Sequence, residues 1–184
     1  GDSVIFCGNG ASDAIYKLSN VLLSPATNKK YCKYMGSKTI VFVSIYECDS
    51  NVFVWKELGC QVIVVPEDKD EGIGINQHIL EEHLKIYSSH TMRTKYNLLI
   101  GSFTAASNVS GVQMKHNRIT ALLHKYGALS FWDFSTGGPY MDVNMDDKDA
   151  VFLSTHRFIG GPQSMGILCA KTQLFENFVP TQPQ

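Results

Sequence analysis

The chain has 184 residues, 44% of them apolar, enough for one domain with a sizeable core. A net charge of −1 without a basic tract argues against nucleic acid or an anionic membrane as the main partner. No apolar run reaches the roughly 20 residues of a membrane span, and no charged segment followed by an apolar one marks a signal peptide.

In chain order, apolar β-rich runs alternate with helical patterns. Residues 4–7 read as a first strand. Gly8-Asn9-Gly10-Ala11-Ser12 then makes a strand-to-helix turn, and Ala14, Ile15, Leu18, Val21 and Leu22 follow helical spacing. Residues 39–44 and 61–65 read as strands, with a helix from Val52 to Leu58 closed by Gly59 between them. Ile79, Leu80 and Leu84 mark a further helix, and residues 98–102 a fourth strand. Ile119, Leu122, Leu123 and Tyr126 mark a helix that Gly127 should cap. Residues 129–133, 151–154 and 166–170 complete seven strands. The polar stretches 29–38 and 88–95 read as surface loops, and 180–184 as a linker-like tail. With no initiator Met and a strand-like run from Ser3, the sequence reads as a piece of a longer protein.

Short, continuously apolar strands between polar turns are the mark of a sheet covered by helices on both faces. The expectation is an α/β domain with a mostly parallel, doubly wound sheet, whose ligands bind beyond the carboxyl ends of the strands. Polar residues gather at those ends: Gly8 to Ser12, Ser44 to Glu47, Ser102 to Asn108, Asp133, and Ser154 to Arg157.

Each of these features has two readings. The turn from Gly8 to Ser12 suits a phosphate, through free N–H groups, the helix dipole and the Ser12 hydroxyl. It equally suits an ordinary helix start capped by Asn9 or Ser12. It is not the dinucleotide fingerprint, because Asp13 stands where the third glycine belongs; a nucleotide-binding domain rests on this turn alone. Asp133, among Leu129, Phe131, Trp132 and Phe134, is either a partner for a protonated pyridine nitrogen or the cap of a turn. Ser154 and His156, two apart in an extended run, place a hydroxyl and an imidazole on one side. They suit a phosphate, or a buried hydrogen-bonded pair. Gly160-Gly161-Pro162 reads as a tight turn.

The five cysteines (Cys7, Cys32, Cys48, Cys60 and Cys169) are odd in number and form no CxxC pair, which points to thiols in a reducing, cytoplasmic setting. The histidines do not cluster at ligand spacing, and no metal site is expected.

Together these residues resemble the class V aminotransferase-like family of fold-type-I proteins that use pyridoxal 5′-phosphate (PLP), which includes cysteine desulfurases and selenocysteine lyases. Gly10-Ala11-Ser12 is similar to the family's Gly-Ala-Thr phosphate turn. Glu47-Cys48-Asp49-Ser50-Asn51 with Trp55 resembles Glu-His-His-Ser-Asn…Trp, and Ala106-Ser107-Asn108-Val109-Ser110-Gly111 resembles Ser-Asn-Val-Thr-Gly. Asp133 takes the place of the pyridine-nitrogen Asp, and Ser154-Thr155-His156-Arg157 that of Ser-x-His-Lys.

The resemblance implies a PLP-binding large domain over residues 1–179, with the C-terminal small domain absent. Its sheet would have seven strands, of which 166–170 runs antiparallel. Gly10, Ala11, Ser12, Cys48, Asn108, Asp133, Thr136, Ser154 and His156 would face the cofactor. Three departures matter. Arg157 replaces the lysine that carries PLP as a Schiff base, and a guanidinium that stays protonated cannot do that chemistry. Cys48 replaces the histidine that stacks on the PLP ring. Thr136 stands where desulfurases often have Gln. The substrate-carboxylate arginine and the desulfurase cysteine belong to a region beyond this chain.

Two functions follow from the resemblance. One is an enzyme acting on an amino acid, by transamination or by cysteine or selenocysteine C–S or C–Se cleavage. The other is a pseudoenzyme with a binding or regulatory role, holding PLP weakly and noncovalently. A homodimer of the full-length protein is also implied.

Overall fold

The computed structural model describes residues 1–23, 36–69 and 73–175. Cys32, most of the expected 29–38 loop and the 180–184 tail lie outside the described residues. The strands are β1 (Asp2–Cys7), β2 (Thr39–Ser44), β3 (Gln61–Val65), β4 (Leu98–Thr104), β5 (Leu129–Asp133), β6 (Ala150–Ser154) and β7 (Gly166–Lys171). The helices are α1 (Gly10–Leu23), α2 (Asp49–Glu57), α3 (Gln77–Ser88), α4 (His90–Lys95) and α5 (His116–Lys125).

The strands form one sheet in the order β1-β7-β6-β5-β4-β2-β3. The pairs from β3 through β6 are parallel, and β7 runs antiparallel to both β6 and β1. Expected and observed strands agree to within two residues at each end, including the direction of β7. Six strands therefore end at one edge of the sheet, and β7 begins there.

Alternation of side chains along the strands divides the core in two. On one face α1 and α2 pack Ile15, Leu18, Leu22 and Trp55 against Val41, Phe131, Phe152 and Leu168. On the other, α3 and α5 pack Leu80, Leu84, Ile119 and Leu123 against Phe42, Leu99, Phe103 and Trp132. The central strands β2 and β4 are buried along their whole length, as continuous apolar runs require. The edge strands differ from expectation: β1 leaves Val4 and Phe6 exposed, because among the described residues helices cover only its other face, and β3 leaves Val64 exposed although Val62 and Ile63 pack against opposite clusters.

Two helix boundaries also depart from the pattern. The 88–95 loop is instead the end of α3 and the short α4. None of the α4 residues is buried, so no apolar period marks it. It is held by Arg93, whose guanidinium donates to the Tyr126 carbonyl at 2.7 Å and to that of Gly127 at 3.3 Å. The helix expected from Val52 begins at Asp49, with Cys48 as its N-cap. Gly59 and Gly127 follow α2 and α5 with φ of 78° and 67°, the left-handed ends expected of them.

Candidate functional site

The phosphate-type turn is built by close approach. Gly10 opens α1 with φ of 73°, and a Cβ there would lie 2.8 Å from Ser154 Oγ and 2.9 Å from His156 Cε1. Gly166, the first residue of β7, would drive a Cβ into the Gly10 carbonyl; its N–H donates to the Gly8 carbonyl at 3.1 Å. Only glycine lets the turn lie flat against the sheet here. The Ala11 N–H donates to Ser154 Oγ at 2.9 Å, and the Asn9 N–H to the Asp13 carboxylate at 2.6 Å. The helix start is thus served by a serine 143 residues away and by Asp13, rather than by the side chains of Asn9 or Ser12. Ser12 is exposed in the first turn of α1.

The extended run expected through His156 stops at Ser154. Residues Thr155–Arg157 form a 3-10 turn, tied by Thr155 Oγ1 to Ser164 Oγ at 2.7 Å and to the Met165 carbonyl. The turn still delivers His156 to Gly10, where its ring is exposed rather than in the core. Gly160 has φ of 77°, and the Gly161 N–H donates to the Phe158 carbonyl at 2.9 Å, which closes the expected tight turn.

Asp133 ends β5, one strand over from Ser154, and is 3% exposed. Its Oδ1 accepts the Ser135 N–H at 2.7 Å, so both readings of this residue hold in part: it is a buried carboxyl that also caps a turn. Burial raises its pKa, while hydrogen bonding from Ser135 and the nearby Arg157 charge pull it down. Arg157 is exposed and donates from Nη1 to Thr136 Oγ1 at 3.3 Å. Lys148 is fully buried, but it precedes β6 at the opposite edge of the sheet. There it donates to Asn144 Oδ1 at 2.9 Å, so it does not stand in for a lysine at the site.

Cys48 is exposed at the start of α2, and Asn108 is exposed in the turn after β4. That turn is shaped by Ser107 Oγ, which accepts from the Val109 and Ser110 N–H groups at 3.3 and 3.2 Å. All the expected site residues therefore lie at one sheet edge. Direct contact joins Gly10, Ala11, Ser154 and His156 at one end, and Thr136 and Arg157 beside Asp133 at the other.

Glu47, which the sequence placed at a polar strand end without a role of its own, proves to be embedded at the site. Its carboxyl lies between β2 and β4, and burial pushes its pKa up to about 7 against hydrogen bonds from Ser44, Thr104 and Asn51. A lone Glu three residues past a continuously apolar strand was the available signal. Among the described residues no group of three or more His, Cys, Asp or Glu gathers as metal ligands, and no helix is long and apolar enough to cross a membrane.

The aminotransferase class-V family model matches residues 2–184. A probable cysteine desulfurase from Chlamydia muridarum (strain MoPn / Nigg) is 29% identical over 167 residues, 88% of this chain and 38% of that protein. Among solved structures, the cysteine desulfurase CsdA of Escherichia coli superposes with a TM-score of 0.73 at 18% identity, over 94% of this chain and 39% of its own. A NifS-like protein from Rickettsia africae ESF-5 does so with a TM-score of 0.72 at 19% identity, over 100% and 44%. The chain thus spans well under half the length of these relatives.

Proposed function

Since the chain belongs to the class-V aminotransferase family, we propose that residues 1–179 are the large domain of a PLP-binding protein and that it holds PLP without a covalent bond. The residue that carries this reading is Arg157, which follows His156 where the family has lysine. A guanidinium remains protonated and is no nucleophile toward an aldehyde.

The other donors suit the cofactor. An anion beside Gly10 meets the start of α1, and the close approach of Ser154 and His156 to Gly10 leaves no room for a side chain there. Asp133 is a buried acceptor for a pyridinium, and that pairing would add a counter-charge to that of the nearby Arg157. PLP bound with its ring nitrogen protonated serves as an electron sink for reactions at an amino acid's α-carbon. In this chain Asp133 would hold that proton, Ser154 and His156 the phosphate, and Arg157 would present a fixed positive charge in place of an amine.

A second reading is catalysis on an amino acid, by transamination or by C–S or C–Se cleavage. The curated relative, a probable cysteine desulfurase, supports it. Under either reading the full-length protein is expected to be a cytoplasmic homodimer.

The test is intact mass after borohydride reduction in the presence of PLP, with peptide mapping of any adduct. The parent chain should bind PLP in dialysis yet carry no adduct at the site, and Arg157→Lys should acquire one at residue 157. A site adduct on the parent overturns the noncovalent reading and favours the second. No PLP retained by either protein removes PLP binding altogether.

A further inference from the structure

The β2–β4 ladder runs from Thr39 opposite Leu98 to Phe42 opposite Gly101. Beyond it, the Ser44 and Thr104 N–H groups both donate to one acceptor, Glu47 Oε1, at 3.3 and 2.8 Å. Ser44 Oγ donates to the same oxygen at 2.5 Å. Oε2 accepts from Asn51 Nδ2 at 2.7 Å. Asn51 in turn donates to the Ser102 carbonyl at 3.3 Å, and its Oδ1 accepts from Ser102 Oγ at 2.6 Å and Trp55 Nε1 at 3.4 Å. The segment that opens α2 is wedged into a fork between two central strands. Backbone amides at such a position need acceptors, and side chains supply them here.

This bracket reaches both ends of a line through the site. Cys48 follows Glu47 directly and is the N-cap of α2. Thr104 stands opposite Asp133 in the β4–β5 register, and the Ala105 N–H donates to the Asp133 carbonyl at 2.8 Å. We propose that Glu47 is a positioning residue of the cofactor site, which fixes Cys48 and Asp133 relative to one another through the fork between β2 and β4. The inference rests on the PLP-binding reading, in which both residues face the cofactor's ring. Burial of this carboxyl opposes its ionisation, as does the Asp133 charge. An apolar side chain would fill the space without that cost, so the acceptors themselves are what the site uses.

The probes are pyridoxine 5′-phosphate, pyridoxine and inorganic phosphate; none has an aldehyde to react with surface lysines. Glu47→Asp withdraws the carboxyl by one methylene, while Glu47→Gln keeps the reach and one carbonyl acceptor. In equilibrium dialysis, Glu47→Asp should bind both ring-bearing probes about tenfold more weakly and inorganic phosphate unchanged, and Glu47→Gln should recover most of the loss. Asn51→Ala serves in its place should Glu47→Asp fail to fold. Equal losses for all three probes, or no loss for any, in a folded variant overturn the inference.

A parent chain that binds neither ring-bearing probe sinks the PLP reading by itself. The inference is then decided by iodoacetamide alkylation of Cys48. The rate should change at least about threefold in Glu47→Asp if the bracket positions that residue. An unchanged rate overturns it.

Discussion

At the scale of single residues, burial raises the pKa of two carboxyls above their ordinary values. Glu47 is pushed up to about 7 by burial, and burial likewise raises Asp133. A pKa raised on folding means that the folded state binds more protons, so stability falls as pH rises between the ordinary and the folded values. The contribution of protonated Glu47 is complete below its ordinary 4.5 and is lost as the pH passes through 7. Burial lowers the pKa of His116 and acts in the opposite sense, so a difference measurement is needed. Urea unfolding of the parent and Glu47→Gln, compared from about pH 5 to about pH 8, should show the variant gaining relative stability as pH rises. A difference that stays constant across that range would mean that Glu47 ionises as freely folded as unfolded.

At the scale of elements, the start of α1 depends on groups from the far end of the chain. Gly10→Ala meets both a left-handed φ and the Ser154 and His156 side chains. It should cost at least about 1–2 kcal/mol in chemical denaturation and abolish binding of inorganic phosphate. Ser154→Ala removes the acceptor of the Ala11 N–H and should cost about 1 kcal/mol. A Gly10→Ala protein as stable as the parent would mean that the turn can relax away from β6. The helical period of α1 was legible because Ala14, Ile15, Leu18 and Leu22 face a core. Its cap was not legible, because sequence patterns report local caps and Ser154 is local only in space.

At the scale of the whole molecule, the described residues give the sheet two covered faces in its middle and one covered face at its β1 edge. Phe6→Lys, on the open side, should change stability by less than about 0.5 kcal/mol. Leu168→Ala, two strand positions from the turn on the packed side, should cost about 2–5 kcal/mol. Thermal and urea unfolding of the two variants check the assignment of faces; a large loss from Phe6→Lys would place a packing partner over β1.

The sequence by itself determined the seven strands, the helices with an apolar period, the turns at Gly59 and Gly127, and the edge of the sheet at which polar residues collect. Those features are local: alternation, helical spacing and glycine at left-handed positions act within a few residues. It also carried the substitution of Arg157 for lysine, which is a matter of residue identity alone. Tertiary structure decided the rest. Helix α4 forms although none of its residues is fully buried, because Met92 packs against the core and Arg93 finds carbonyls at the end of α5. The 3-10 turn from Thr155 to Arg157 ends a run that alternation would have continued, because Ser164 and Met165 across the tight turn take the Thr155 hydroxyl. Glu47 matters because β2 and β4 diverge around it. The amides it satisfies lie 3 and 57 residues away along the chain, and a separation of that kind has no periodic signature.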